Sequence, residues 1–170
     1  RLVLGSVAES ILRKVGRPVL IVGPNCAAKQ DPFRSILLAT DLETTGSGPV
    51  QYARALASCA ASNHLTLLHV IEKNPHVPGL DPELFENSLR QELRRLLPAD
   101  SGLSCRPKIL LEHGTPAEVI LEIAKKEVAS LVIVGLRHQA ALSDHVPWST
   151  LSHILRDAKC SVLVINNSLD

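Results

Sequence analysis

Short β-branched runs alternate with amphipathic helical stretches along the chain, and this alternation restricts the fold more than any other feature. Strands are predicted at residues 35–40, 64–72, 106–112, 131–135 and 161–165. Helices are predicted from residue 50, over 83–97, from 116 and before 161. Since strands joined by crossover helices pair in parallel, the pattern predicts an α/β, three-layer open sandwich with helices on both faces.

Composition and charge exclude several classes of protein. The chain has 170 residues and only four aromatic side chains, so its core must be aliphatic. A net charge of +1 without clustered basic residues predicts no nucleic acid partner. No apolar run reaches the roughly 18 residues of a membrane span. Four singly spaced cysteines favour neither a zinc site nor a disulfide framework, and they predict a cytoplasmic protein.

An internal repeat relates the two ends of the chain. Residues 5–24 align without gaps on residues 148–167, at an offset of 143 positions, and both segments read as a helix followed by a strand. The six identical pairs are Ser6/Ser149, Ile11/Ile154, Leu12/Leu155, Arg13/Arg156, Val19/Val162 and Leu20/Leu163. We therefore expect the last helix and strand of a truncated first domain at 1–24, a linker at 25–33 and a complete second domain at 34–170.

The repeated strand offers a way to cover the edge of the sheet. Residues 161–165 form the last strand, whose unpaired edge normally needs a cover. Antiparallel pairing of the two copies would form an interface of Val19, Leu20, Ile21 and Val22 with Val162, Leu163, Val164 and Ile165. Such pairing gives an intrachain pseudo-dimer, or a homodimer if chains exchange the segment. The alternative is that residues 1–24 form a tail without a fixed partner.

A ligand of such a sheet would bind where the strand order reverses, at the carboxyl ends of two strands that finish near Asp41 and Gly135. The P-loop pattern is absent, and Gly46-Ser47-Gly48 lacks the third glycine of a dinucleotide-binding turn. Ser149 and Thr150 begin the last helix, where their hydroxyls can either complete an anion site or serve as ordinary caps.

Four segments together resemble a universal stress protein domain. They are ILLATD at 36–41, LLHVIE at 67–72, HGTPAEVILEIAKKEVASLVIVG at 113–135, and SxLxxIL…SVLVI at 149–165. The resemblance covers residues 34–166, and residues 5–22 resemble the end of another such domain, as in a tandem member of the family. It implies five parallel strands in the order 3-2-1-4-5.

The resemblance also implies which residues would bind a nucleotide. Nucleotide-binding members carry G-x2-G-x9-G-[ST], which reads here as Gly135, His138, Trp148 and Ser149, so two glycines are replaced. By resemblance, Asp41 with Thr40 would contact the nucleoside, and Val70 would lie near the base. Gly135, His138, Ser149 and Thr150 would surround the phosphates. Since bulky residues stand where backbone must approach phosphate, we expect no cofactor, with ATP or another adenine nucleotide as the alternative.

Neither a metal site nor a catalytic residue is predicted. His69, His113 and His138 are expected near one edge of the sheet, but no carboxylate or cysteine completes a ligand spacing. Pairing Ser149 with His145 or His153 would be no more specific than pairing any serine and histidine. The leading hypothesis is a non-enzymatic regulatory stress-response domain that acts through dimerisation or partner binding. The alternatives are an adenine-nucleotide sensor and, third, an ATP-hydrolysing enzyme.

Overall fold

The computed structural model describes most of the chain, namely residues 10–12, 14–26, 31–42, 48–60, 64–72, 81–97, 102–103, 105–136 and 148–166, without the side chain of Trp148. The strands are β1 (Val19–Ile21), β2 (Ser35–Ala39), β3 (His64–Ile71), β4 (Lys108–His113), β5 (Leu131–Leu136) and β6 (Ser161–Asn166). The helices are α1 (Gly48–Cys59), α2 (Pro82–Leu96), α3 (Pro116–Lys126) and α4 (Trp148–Asp157). Residues 10–12 and 14 are also helical.

The described strands form one six-stranded sheet in the order β1-β6-β5-β2-β3-β4. Strands β2 to β6 pair in parallel with one another and follow the predicted order 3-2-1-4-5. The predicted α/β fold is therefore confirmed. Strand β1 adds a sixth strand, antiparallel to β6, so the sheet as a whole is mixed.

Several predicted boundaries were wrong by one or two residues, and two of them have a clear local cause. Strand β4 begins at Lys108 rather than at residue 106, because Pro107 has no N–H to donate to a neighbouring strand. Helix α2 begins at Pro82, one residue earlier than predicted. Asp81 caps it by accepting a hydrogen bond from the Glu83 N–H, and a proline suits the first helical position.

Alternate residues of each strand pack into two hydrophobic core clusters, one on each face of the sheet. Val162 and Val164 of β6 pack with α3, α4 and Leu12 on one face. Leu163 and Ile165 join the cluster that α1 and α2 cover on the other face. This period of two, with both faces buried, explains why the strands are almost continuously apolar.

Described residues before β2 pack against the rest of the molecule. Leu12 is only 2% exposed and lies in the same cluster as Leu155. The Asn166 side-chain amide donates to the Val15 carbonyl at 3.1 Å. Asn25, at the start of the predicted linker, donates through its side chain to the Arg156 carbonyl at 3.0 Å. The N-terminal helical residues and β1 are thus held by both packing and hydrogen bonds.

The register of β1 on β6 has local two-fold symmetry. Leu20 lies opposite Leu163, its own counterpart in the repeat, and the flanking pairs are Val19 with Val164 and Ile21 with Val162. Exchanging each residue for its counterpart gives the same set of pairs. An isologous dimer interface has this property, with both sides presenting the same surface.

No helix among the described residues has both the length and the apolar character needed to cross a membrane.

Candidate functional site

The candidate site lies at the carboxyl ends of β2 and β5, in the centre of the sheet. The two strands are parallel neighbours, and Ala39 is in register with Val134. Thr40 and Gly135 are the next residues along, so the strand ends reach the same edge together. Here the strand order changes direction, because β3 continues on one side of β2 and β6 lies beyond β5.

A histidine of β3 fixes the end of β2. The His69 Nδ1 atom lies 2.9 Å from the Thr40 carbonyl oxygen. Since a carbonyl oxygen only accepts, Nδ1 carries the proton and donates it. The Thr40 N–H donates to the Leu68 carbonyl at 2.9 Å, which extends the β2–β3 ladder by one residue. Thr40 is therefore held through both its N–H and its carbonyl group.

The chain turns sharply directly after Thr40. The Leu42 N–H donates to the Thr40 side-chain oxygen at 3.1 Å, and Leu42 has a φ of 66°. A leucine in this left-handed region is unfavourable unless its surroundings compensate, and here its side chain is buried in the core under α1. Asp41 thus lies between two anchored residues.

Val70, a predicted site residue, and its neighbour His69 lie on opposite faces of the sheet. Val70 is partly buried and packs against the cluster of α3 and α4. His69, its neighbour in the strand, points to the opposite face because side chains alternate along β3. The alternation is visible in the sequence and could have placed His69 on the same face as Leu67. Sequence analysis predicted only that His69 lies near the edge of the sheet.

Helix α4 presents its two hydroxyls differently from expectation. Because the helix begins at Trp148, Ser149 and Thr150 both lie in its first turn. Ser149 is exposed, whereas Thr150 is buried. An anion at this end would therefore meet the Ser149 hydroxyl rather than both. His138 and the Trp148 side chain, which replace the two glycines, lie outside the described residues.

An ion-pair chain at the same edge of the sheet was missed by sequence analysis. His113, at the end of β4, places Nε2 2.9 Å from Oε1 of Glu86 in α2, and Arg90 binds the other oxygen of that carboxylate at 3.2 Å. The hydrogen bond from His113, assisted by Arg90, holds the pKa of Glu86 below its ordinary value of 4.5. Glu86 and Arg90 are neighbours on one helix, but only the fold brings His113 to them.

The described histidines form no recognisable metal site. Among the described residues, no group of three or more His, Cys, Asp or Glu side chains is placed to hold a metal ion. His153 instead pairs with Asp157 one turn further along α4, at 3.1 Å. His145 lies outside the described residues. The register of β2 and β5 places Thr40, Asp41 and Gly135 at the ends of two neighbouring strands, and these residues are the candidate binding elements.

The sequence model of the universal stress protein family matches residues 32–166, which is most of the chain. The chain belongs to the universal stress protein family. A universal stress protein of Thermus aquaticus is 33% identical over 140 residues, which cover 78% of this chain and 98% of that protein.

Two solved universal stress proteins share this fold. The crystal structure of one from Archaeoglobus fulgidus superposes with a TM-score of 0.71 at 20% identity, covering 96% of this chain and 56% of that one. The chain thus spans about half the length of the Archaeoglobus protein. A universal stress protein solved in complex with cAMP superposes with a TM-score of 0.57 at 18% identity, covering 79% of this chain and 98% of that one.

Proposed function

We propose that this universal stress protein chain is a non-enzymatic regulatory module of the cytoplasm that acts through association at β6. The single observation that carries the proposal is the two-fold register of β1 on β6, centred on Leu20 and Leu163. Because both strands derive from the same repeat, the β6 of a second copy can replace β1 with the same pairing. Association is then intrachain as a pseudo-dimer, or interchain as a homodimer.

Displacing β1 tests this proposal directly. Val19 and Ile21 pack against the core cluster of α3 and α4, whereas Leu20 faces the other way and is 49% exposed. Replacing Ile21→Asp puts a charge into the core side of β1, so β1 leaves β6 and the uncovered β6 edges pair between chains. By sedimentation equilibrium at high salt and low protein concentration, where weak contacts between charged groups are screened, we expect a monomeric wild type and a dimeric variant.

Leu20→Asp is the matched control, because it adds the same charge to the same strand on the exposed face. It should remain monomeric and folded by circular dichroism. A folded Ile21→Asp protein that stays monomeric at every concentration would rule out association at β6.

The exposed face of β1 favours the hypothesis that a further domain packs against it. Leu20 and Val22 are 49% and 67% exposed, whereas their repeat counterparts Leu163 and Ile165 are buried in the cluster under α1 and α2. We propose that corresponding helices of a first domain cover Leu20 and Val22. The Archaeoglobus protein, of which this chain spans about half, has the length that such an arrangement needs.

We propose further that the crevice does not hold ATP as nucleotide-binding members of the family do. The motif G-x2-G-x9-G-[ST] carries His138 and Trp148 at two glycine positions, and a side chain at either position would take space that the phosphates need. Titration with ATP by calorimetry, with and without Mg²⁺, should give no binding heat, and phosphate release should stay at background. His138→Gly with Trp148→Gly should create binding if bulk is the only obstacle.

The second candidate function is an adenine-nucleotide sensor. It is favoured by the anchored turn that holds Asp41 between Thr40 and Leu42, since a fixed acid at this edge suits the hydroxyls of a nucleoside. The structural relative solved with cAMP adds the general precedent for this fold. Micromolar binding of ATP or cAMP that Asp41→Ala abolishes would establish the sensor and overturn the degenerate crevice.

A further inference from the structure

Helix α3 ends in a tight turn whose left-handed position is held by a valine. The Ala129 N–H donates to the Ala124 carbonyl at 2.8 Å and the Val128 N–H to the Lys125 carbonyl at 3.2 Å, which is the Schellman pattern. Val128 has a φ of 49°, where glycine is usual and a β-branched side chain is unfavourable. Its side chain is nevertheless 71% exposed, so burial does not compensate for the strain.

Val128 borders a groove between α3 and the carboxyl end of α4, which we call the α3–α4 groove. Its volume is about 570 Å³, and its apolar lining comes from Leu121, Ala124, Val128, Ala129 and Ala158. The groove lies before the first residues of β5 and β6, at the amino edge of the sheet. It is therefore at the opposite end of the molecule from Thr40 and the candidate nucleotide site.

Basic charge is available at the edge of the α3–α4 groove. Lys125 and Lys159 both line it, and neither forms a salt bridge with another described residue. Two acidic residues also border the groove. The carboxylate of Asp157 is already bound by Arg156 at 2.8 Å, which leaves Glu122 as the one acid not paired with a described residue.

Residues 81–85, at the beginning of α2, form an exposed surface that we call the α2 tip. Its charge and apolar character complement those of the α3–α4 groove. All five residues are exposed, with Leu84 68% and Phe85 38% accessible. Asp81 and Glu83 add two negative charges beside these apolar side chains. The tip lies at the carboxyl edge of the sheet, because Glu86 in the next turn pairs with His113 at the end of β4.

We propose that the α2 tip of one copy of this chain docks in the α3–α4 groove of a second copy. Leu84 and Phe85 supply the apolar side chains, while Asp81 and Glu83 face Lys125 and Lys159. Because the two surfaces are at opposite edges of the sheet, the contact is heterologous and propagates head to tail. The pairing at β6, by contrast, is isologous, so it produces a dimer and cannot add further copies. Both surfaces are small, so the association is weak and depends on concentration.

Pairs of disabled variants test the head-to-tail contact. Lys125→Glu with Lys159→Glu disables the groove, and Leu84→Ser with Phe85→Ser disables the tip. In sedimentation velocity at low salt, the wild type should form species that grow with concentration, and each variant alone should not. A mixture of the two should form one-to-one pairs and nothing larger, since each protein retains one working surface.

Two single variants sharpen the test. Val128→Gly removes an apolar contact and the backbone strain together, so it should raise the thermal midpoint while weakening self-association roughly tenfold. Lys126→Glu is the matched control, because this neighbouring lysine is exposed but does not line the groove. It should change self-association little.

Three results would overturn the proposal. They are a wild type that sediments as one species at every concentration, self-association that survives both double variants, and a mixture of the two variants that forms no pairs. The dimer expected of Ile21→Asp uses β6 and should survive the groove and tip substitutions. Failure of either type of association can thus be recognised separately.

Discussion

Leu20 in β1 lies directly opposite Leu163 in β6, and the two leucines occupy the same position in the internal repeat. The contact between the ends of this universal stress protein chain is therefore built like an interface between two identical subunits. Such a contact has no intrinsic preference for its own chain over another, so effective concentration decides between the intrachain and interchain forms.

The N-terminal segment should contribute strongly to stability. Leu12 is 2% exposed in the cluster of α3 and α4, so Leu12→Ala should lower the free energy of unfolding by about 2–5 kcal/mol. Urea denaturation monitored by circular dichroism measures the change. Ile11→Ala, at a neighbouring half-exposed position, is the control and should cost far less. Equal effects of the two substitutions would show that Leu12 does not belong to the core.

His69 should order the turn that carries Asp41. His69→Ala removes the donor to the Thr40 carbonyl, so the amide of Leu42, which donates to the Thr40 side chain, should exchange its proton faster. Hydrogen exchange of a peptide spanning this turn provides the measurement. The control is His64→Ala, at the exposed first position of the same strand. Unchanged exchange in the His69 variant would mean that the turn is held by other contacts.

The contact between His113 and Glu86 should be visible as a pH effect. The folded state holds the pKa of Glu86 below 4.5, chiefly through the hydrogen bond with His113. This stabilisation is fully present above pH 4.5 and is lost as the pH falls through the folded-state pKa. His113→Ala should raise the pKa of Glu86 towards 4.5, as followed by NMR of the carboxyl carbon.

The control for this titration is His153→Ala, since His153 contacts Asp157 and not Glu86. In that variant the Glu86 titration should match that of the wild type. An unchanged Glu86 titration in His113→Ala would assign the effect to Arg90 instead.

Gly114 should be intolerant of any side chain. Its φ is +145°, and an added Cβ would lie 2.9 Å from the Val119 Cγ2 atom. Gly114→Ala should therefore destabilise the protein by about 1–3 kcal/mol in thermal or urea unfolding. Gly16→Ala should stay within about 0.5 kcal/mol, because no atom lies within 4 Å of the added Cβ.

A second variant separates the causes of this effect. Adding Val119→Ala to Gly114→Ala removes the steric contact and leaves the backbone strain, so it should recover part of the loss, after allowance for the Val119→Ala effect alone. If Gly114→Ala left the free energy of unfolding unchanged, neither the steric contact nor the backbone strain would be supported.

The fold was predictable from local patterns because each strand and helix carries its own periodicity. Ser35–Ala39 and Leu131–Leu136 are almost uninterrupted apolar runs, and parallel pairing follows from the helices between the strands. Element ends were less predictable. Lys108 begins β4 only because Pro107 cannot join the ladder, and Pro82 begins α2 because Asp81 caps it.

Of the candidate site, the sequence could predict only the residues that lie at the ends of the strands. Asp41 and Gly135 were expected together because parallel strands finish at one edge, and the register places Gly135 level with Thr40, the residue before Asp41. The hydrogen bond from His69 to Thr40 was not predictable, because it depends on the conformation that the chain adopts after β2. The pair of His113 with Glu86 joins residues 27 positions apart on different elements, and no periodic pattern encodes such a contact.

The β1–β6 ladder also determines when, during synthesis, the sheet can finish folding. Its central pair joins residues 143 positions apart, and β6 already needs β5 beside it. At roughly 5–20 residues per second, a ribosome that has made β1 needs about 7–30 seconds to make its partner. During that interval Leu20 and Val22 belong to an apolar strand with no edge to join. Nascent chains on one polysome could then trap each other through β1, and a chaperone that shields this segment would suppress that exchange.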